Sequence, residues 1–399
     1  MKYIELKDIN EYKSESINPA KMQETIFELY SVPVYETGHP EYLTGKEIAS
    51  SKIVVRKNDI LLCKINPRIN RVWIVRKESE NINIASSEWI VVRNNKYNPE
   101  FLAWYFRSPK FRQLMVSEVT GIGGSLTRAQ PKRVAKYPVP IMDRIIQDKI
   151  VYRLNRIQKI IDMKKKELIK LDLLIQSRFV EMFGTLDNPT QNFQTARLEE
   201  LCSKITDGKH GGCVQEKGTK RYFVGAREIY DDKIHYDTAP EINIIEFEKD
   251  YKRCNVEKGD FLIVNTGATI GKSAIATDER TTHTLLQKSV ALLKVRKELL
   301  NSVFLKWCYR VNTKMYMVES ASAQANLLLS KIRATKIYVP DINLQNQFAT
   351  FVKQVNKSKF VIHKFLYCTT HNTKSIIKPR LNTKESGKIR GGKPHADEF

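Results

Sequence analysis

Residues 133–140 read RVAKYPVP and residues 333–340 read RATKIYVP, a β-like segment closing on Val-Pro in both places, at an offset of 200. Two more pairs keep that order and nearly that distance. Lys57-Asn58-Asp59-Ile60-Leu61 matches Lys258-Gly259-Asp260-Phe261-Leu262 at 201, and Phe101-Leu102-Ala103-Trp104-Tyr105 matches Phe304-Leu305-Lys306-Trp307-Cys308 at 203. Three anchors in one order at near-constant spacing define two copies of one module of about 200 residues.

Each copy enters a helical pattern directly after its Val-Pro. From Asp143, a plausible N-cap, the chain runs to Phe183 without Gly or Pro, and Gly184 stands where a helix terminator is expected. Apolar residues at Ile150, Leu154, Ile157, Ile161, Leu168, Leu171, Ile175 and Met182 follow coiled-coil spacing, with Lys164 and Arg178 in two seam positions. Such a helix is about 60 Å long, more than a compact domain of this size requires. A matching helix starts at Asp341, and Phe351, Val355, Ser358 and Ile362 fall 201 residues after Ile150, Leu154, Ile157 and Ile161. What precedes each helix is β-rich. Trp89–Arg93, Phe261–Val264 and Ser289–Val295 read as strands, whereas Phe101–Met115 and Val303–Val318 read as helices. The expected fold class is α+β, with two β-rich domains joined by long helices that pair as an antiparallel coiled coil. The expected boundaries are 1–142 and 184–340 for the globular modules, 143–183 and 341–366 for the helices, and 367–399 for a polar, disordered tail.

The 399 residues carry a net charge of +23, which favours a polyanionic partner, nucleic acid being the common one. The two helices and the tail account for about half of it, so roughly +12 falls on the globular modules, where phosphate contacts are needed. No run of 18 apolar residues and no signal-like N-terminus occurs, so no membrane is expected as a partner. Six cysteines without a Cys-x-x-Cys pair suit a reducing cytoplasm and exclude a zinc ribbon.

Catalytic signatures are missing. NTGATIGKS at Asn265–Ser273 approaches a phosphate-binding loop, but only three residues separate Gly267 from Gly271, and a second strand, not a helix, follows. The equivalent stretch of the first copy, CKINPRINRVWIV at Cys63–Val75, lacks the glycines and the Lys-Ser. Both stretches read as one β-hairpin built with different tips. No dinucleotide fingerprint, nucleophile elbow, metal-spaced cluster or adenine-methyltransferase motif is present, so the chain reads as a binder and no catalytic or metal site is assigned.

Two variable β-rich modules, each followed by Val-Pro and a long helix, resemble the specificity subunit of type I restriction-modification systems over about residues 1–366. The resemblance rests on GIGGSLTRAQPKRVAKYPVPIMDRIIQDKIV (Gly121–Val151), SAQANLLLSKIRATKIYVPDINLQNQFATFV (Ser322–Val352), ITDGKHGG (Ile205–Gly212) and NTGATIGKSAIA (Asn265–Ala276). It implies a DNA restriction system in which each module is a target-recognition domain reading one half of a bipartite double-stranded DNA target. The helices would set the gap and dock methyltransferase (modification) subunits, and a motor-nuclease (restriction) subunit would join them. It also implies no cofactor on this chain, with S-adenosylmethionine used for DNA methylation and ATP belonging to the partners. A stand-alone DNA-binding or scaffolding protein without an enzyme partner is the alternative.

Base readout needs Arg, Lys, Asn or Gln on loops. In the first module the candidates are the tip residues Asn66, Arg68, Asn70 and Arg71, with Arg128 and Gln130. In the second they are Lys209, His210, Arg227, Asn265, Thr266, Gln287, Lys288, Gln324 and Asn326. Because the modules differ strongly, unlike half-sites and an asymmetric target are expected. The chain departs from the family pattern after Phe365, where the helical sequence that follows Lys164 has no counterpart.

Overall fold

The computed structural model describes residues 2–117, 119–120, 127–316 and 326–376. They divide into two compact units, one holding the residues up to Met163 and those from Phe365 onward, the other Lys164–Lys364.

Both units carry the same framework. In the first, strands Val72–Ile74, Ile60–Cys63 and Trp89–Val92 form an antiparallel sheet, and in the second Phe261–Val264 lies between Ser273–Ile275 and Val290–Val295 in the same way. The central strands are entered through one turn, with Asn58 at φ 72° and Gly259 at φ 99°. The next residue is a buried aspartate in both. Asp59 accepts the Arg56 N–H at 2.8 Å and holds Arg93 at 2.6 Å, and Asp260 accepts the Glu257 N–H at 2.8 Å and holds Lys294 at 2.7 Å. Arg93 is held above its ordinary range by its hydrogen bond to Asp59. These Lys-x-Asp anchors persist because a buried carboxylate must keep its donors.

A second sheet element distinguishes the units. The first unit has a five-stranded sheet in which Ile26–Tyr30 runs parallel to Ile82–Ala85. At its centre Glu28 is fully buried and accepts from Tyr30 Oη (2.7 Å), Ser79 Oγ (2.7 Å), and the Glu78 and Ser79 N–H groups (3.0 and 2.9 Å). Burial raises that carboxyl, but the hydrogen bonds outweigh it and hold Glu28 below the usual carboxylate range. The second unit keeps only the parallel pair, Tyr222–Val224 with Thr284–Leu286, and adds helix Ile244–Tyr251.

The short helices flanking the sheets follow the sequence reading with two differences. The stretch 101–115 is two helices, Pro99–Arg107 and Pro109–Ser117, because Ser108 precedes a proline and is extended (φ −63°, ψ 150°). Its counterpart is shorter than the expected Val303–Val318: the helix is Ser302–Val311, it ends at Asn312 (φ −108°, ψ 73°) ahead of a 3-10 turn at Thr313–Met315, and residues 317 and 318 lie outside the described residues.

The long helices are Arg144–Phe183 and Ile342–Ile376, the second running ten residues past its expected end at 366. Each is clasped to its own module by a buried glutamine. Gln147 accepts the Asn98 N–H at 2.8 Å and donates to the Met142 carbonyl at 2.7 Å. Gln345 accepts the Asn301 N–H at 2.9 Å and donates to the Pro340 and Leu299 carbonyls at 2.8 and 3.1 Å. Asn98 and Asn301 are also the N-caps of the helices that follow them.

Within the second unit the two helices run antiparallel, since Lys359 pairs with Asp172 at 2.6 Å while Phe348 packs on Phe179 at 5.3 Å. The first helix leaves its heptad at Ile175. Phe179 and Phe183 are fully buried among Phe304 and Phe348, while Arg178 faces outward and pairs with Glu181 at 2.9 Å. Arg178 is therefore not a seam residue, and Phe179 and Phe183 take over from the expected Arg178 and Met182. The reason is geometric, for a straight helix drifts ahead of a seven-residue repeat and its last two turns enter a globular core.

Candidate nucleic-acid interface

In the second module separate stretches of chain converge on the turn Gln287–Ser289, between the strands Thr284–Leu286 and Val290–Val295. The Lys209 N–H donates to the Leu286 carbonyl (2.8 Å) and the Lys288 N–H to the Lys209 carbonyl (2.9 Å). That approach requires Gly208, where a Cβ would stand 2.1 Å from the Leu286 oxygen. The Gln287 N–H donates to the Val224 carbonyl (2.8 Å), and the Ala226 N–H to Ser289 Oγ (3.2 Å), which brings Arg227 to the same place. The Asn265 N–H donates to the Ser289 carbonyl (3.0 Å), and the Asn265 carbonyl accepts the Leu327 N–H (2.7 Å). Thr266 then lies opposite Asn326 in an antiparallel bridge, Thr266 Oγ1 donating to Asn326 Oδ1 at 3.3 Å.

Of the residues expected to contact bases, Arg227, Lys288, His210 and Asn326 are exposed on this crest. Gln287 is half-buried beside Gly225. Two others are placed there but face elsewhere. The Lys209 ammonium is bound to Asp250 at 2.7 Å and lies 3.6 Å from Glu246, and its hydrogen bond to Asp250 raises its pKa above the ordinary range. Asn265 is buried, its Oδ1 without a hydrogen-bond partner among the described residues, so its backbone rather than its amide serves the crest. His210 sits 3.4 Å from the Asp207 carboxylate. Gln324 lies outside the described residues.

The first module builds the corresponding crest. The Asn66 N–H donates to the Thr127 carbonyl and the Ala129 N–H to the Lys64 carbonyl, both at 2.8 Å, and Ile65 bridges to Arg128. Its hairpin tip keeps the backbone of the second. Asn66 (φ 46°) and Asn70 (φ 54°) are left-handed at the positions 201 before the left-handed Gly267 (φ 95°) and Gly271 (φ 90°). After glycine, asparagine tolerates that conformation best, which explains both asparagines without reference to a ligand. Asn70 Nδ2 donates to the Phe106 carbonyl at 3.3 Å, turning its amide inward. Arg68 is exposed, Arg71 is half-buried, and Arg128 donates to Glu88 at 3.0 Å. Gln130 leads into the short helix Pro131–Val134.

Residues 86–88 are crest residues that motif reading misses. The Ser86 N–H donates to the Tyr30 carbonyl (3.2 Å) and the Lys64 N–H to the Glu88 carbonyl (3.0 Å), as Gln287 and Asn265 do in the second module. Subtracting the 201-residue offset from Gln287–Ser289 gives these positions directly. Residue type hides them, because serine and glutamate do not resemble the Gln-Lys of the other copy.

Among the described residues no group of three His, Cys, Asp or Glu side chains could hold a metal ion, and no helix is long and apolar enough to cross a membrane. The profile of the family described as Type I restriction modification DNA specificity domain matches residues 190–366, which hold the second crest, its module and the start of the second long helix. That module is similar to a DNA specificity domain of this class. Over the whole chain the fold is that of specificity subunits. One similar solved structure belongs to work on complex assembly and conformational transition of the type I R-M system, with 19% identity, 94% of this chain and 96% of that chain covered, and a TM-score of 0.63. Another is the S subunit of the type I restriction-modification system from M. genitalium, with 13% identity, 94% and 95% covered, and a TM-score of 0.50. No curated protein matches the sequence. The chain thus resembles a type I specificity subunit in sequence over its second half and in fold throughout.

Proposed function

We propose that this chain is the non-catalytic DNA-recognition subunit of a type I restriction-modification complex, each crest reading one half of an asymmetric, bipartite duplex target. The observation that carries this is the convergence of Arg227, Thr266, Gln287, Lys288 and Asn326, from distant stretches of sequence, onto one edge of a module that matches the DNA specificity family. Arg, Asn and Gln on such an edge can contact base edges in the major groove, while lysines contact phosphate.

The long helices set the gap between the half-sites and dock methyltransferase subunits. Exposed Ile169 (61%), Leu173 (55%), Phe360 (68%) and Val361 (65%) supply apolar surface for such a partner. S-adenosylmethionine and ATP then belong to the methyltransferase and motor-nuclease subunits, and none to this chain. Deleting the gene and sequencing the source genome with a methylation-sensitive long-read method tests this. Loss of one bipartite, asymmetric methylated motif is expected; an unchanged methylome would reject the role.

A further inference from the structure

Gln287 stands on the second crest with its backbone tied on both sides. Its N–H donates to the Val224 carbonyl at 2.8 Å, and its carbonyl accepts the Val290 N–H at 2.9 Å. The side chain is half-buried, and its amide makes no hydrogen bond among the described residues. The other crest amides are less available. Asn265 is buried, and Asn326 Oδ1 accepts from Thr266 Oγ1 at 3.3 Å.

The Gln287 amide has a seat. It lies so close over Gly225 that a Cβ there would stand 2.3 Å from Oε1 and 2.5 Å from Cδ. Gly225 itself is held in a turn, its N–H donating to Glu228 Oε2 at 2.8 Å and its carbonyl accepting the Glu228 N–H at 3.2 Å. The backbone does not require glycine there, since the φ of Gly225 lies outside the left-handed region. The neighbouring amide does require it. On the first crest the Ser86 N–H meets the Tyr30 carbonyl as the Gln287 N–H meets that of Val224, so Gly225 and Gln287 correspond to Ser31 and Ser86. There a side chain stands at the first position, Ser31 Oγ donating to Glu41 Oε2 at 2.6 Å, and the second carries no long amide. Glycine thus accompanies the glutamine, on an edge where an amide without a partner adds nothing to folding. A seated amide has already lost part of the rotamer freedom that binding would remove. Its oxygen and NH2 together match N6 and N7 of adenine, the contact glutamine makes to a base edge in the major groove.

We propose that Gln287 reads an adenine in the half-site of the second module, and that Gly225 is the positioning residue that seats its amide. This rests on the DNA-reading role proposed above. The test is selection from a random-sequence duplex pool, using the full chain purified from its source cell with the subunits that accompany it, followed by sequencing of the bound DNA. The wild type should select two half-sites, with adenine favoured at one position by about tenfold. Q287E keeps the shape but replaces the donating NH2 with an acceptor. The preference at that position alone should then pass from adenine to cytosine, whose N4 donates. G225A should melt as the wild type does, because the group it displaces is the end of a flexible side chain, yet lose the adenine preference several-fold. An adenine preference that survives Q287E, or a loss spread over all positions, would overturn the assignment to Gln287. An unchanged motif in G225A, or a G225A chain that fails to fold, would overturn the seat alone. A wild-type chain that selects no motif would overturn the DNA-reading role as well.

Discussion

Replacing Gln345 with leucine tests whether the clasp between the second module and its helix is an energetic joint or an incidental contact. Gln345 is fully buried and satisfies three backbone groups, the Asn301 N–H at 2.9 Å and the Pro340 and Leu299 carbonyls at 2.8 and 3.1 Å. Leucine has similar bulk and no polar atom, so all three groups lose their partner, the Pro340 carbonyl in a buried place and the other two in part-buried ones. The buried orphan costs about 1–2 kcal/mol and the part-buried ones less, which makes the expected destabilisation about 2–3 kcal/mol, or roughly 100-fold in the unfolding equilibrium. Hydrogen exchange followed on peptides spanning Asn301–Leu305 reads it directly, and those amides should lose about two decades of protection. The neighbouring Asn346, whose Oδ1 accepts from Asn301 Nδ2 at 2.8 Å on the exposed side, provides the control. Asn346→Ala should stay within about 0.5 kcal/mol of the wild type. A Gln345→Leu protein as protected as the wild type would refute the reasoning, because buried backbone groups without partners would then carry no penalty here.

Glu28→Gln should destabilise the first unit by about 2 kcal/mol at pH 7, since an amide cannot accept from four donors. A carboxyl held below its unfolded value contributes stability above about pH 5 and loses it as pH falls through the lower folded value. The gap between variant and wild type in thermal melts should therefore close as pH falls below the ordinary carboxylate range. Phe179→Ala, which empties a site ringed by Phe183, Phe304 and Phe348, should cost about 4 kcal/mol in the second unit by urea titration. Asn66→Gly should leave both folding and DNA selection near wild type if the residue serves the left-handed turn, whereas Asn66→Val should lose about 1–2 kcal/mol in the same titration. Neutralising Arg68, Arg227 and Lys288 together should make log affinity less steeply dependent on log salt, measured on a fixed duplex. The slope should fall by about 0.9 for each phosphate those side chains had neutralised.

The repeat makes most of the architecture legible. Its offset locates the equivalent hairpins and the two long helices, because backbone-determining residues such as Asp59 and Asp260 recur at fixed places. The end of the coiled-coil seam is not legible in this way. Phe179 and Phe183 obey the 3.6-residue period of a helix entering a core, and the sequence does not mark where a seam ends. The split at Ser108 is written in the Pro109 that follows it. For the crest, residue type is a fair guide to location and a poor guide to orientation. Lys209 and Asn265 are where expected, yet one is neutralised by Asp250 and the other is buried. Glu88 and Ser86 can be found only by carrying the offset across, since their part in the crest lies in backbone contacts.

The glutamine clasps touch only main-chain atoms on the module side: an N–H in the first unit, an N–H and a carbonyl in the second. A joint that grips backbone is indifferent to the side chains of whatever is mounted on it. Mutation can therefore rewrite a module's loops almost freely, provided the chain returns to the same asparagine and the same strand. That is how two copies can hold one shape while sharing few letters, and it leaves the crest loops free to differ between them, as the unlike tips Asn66–Asn70 and Gly267–Gly271 do.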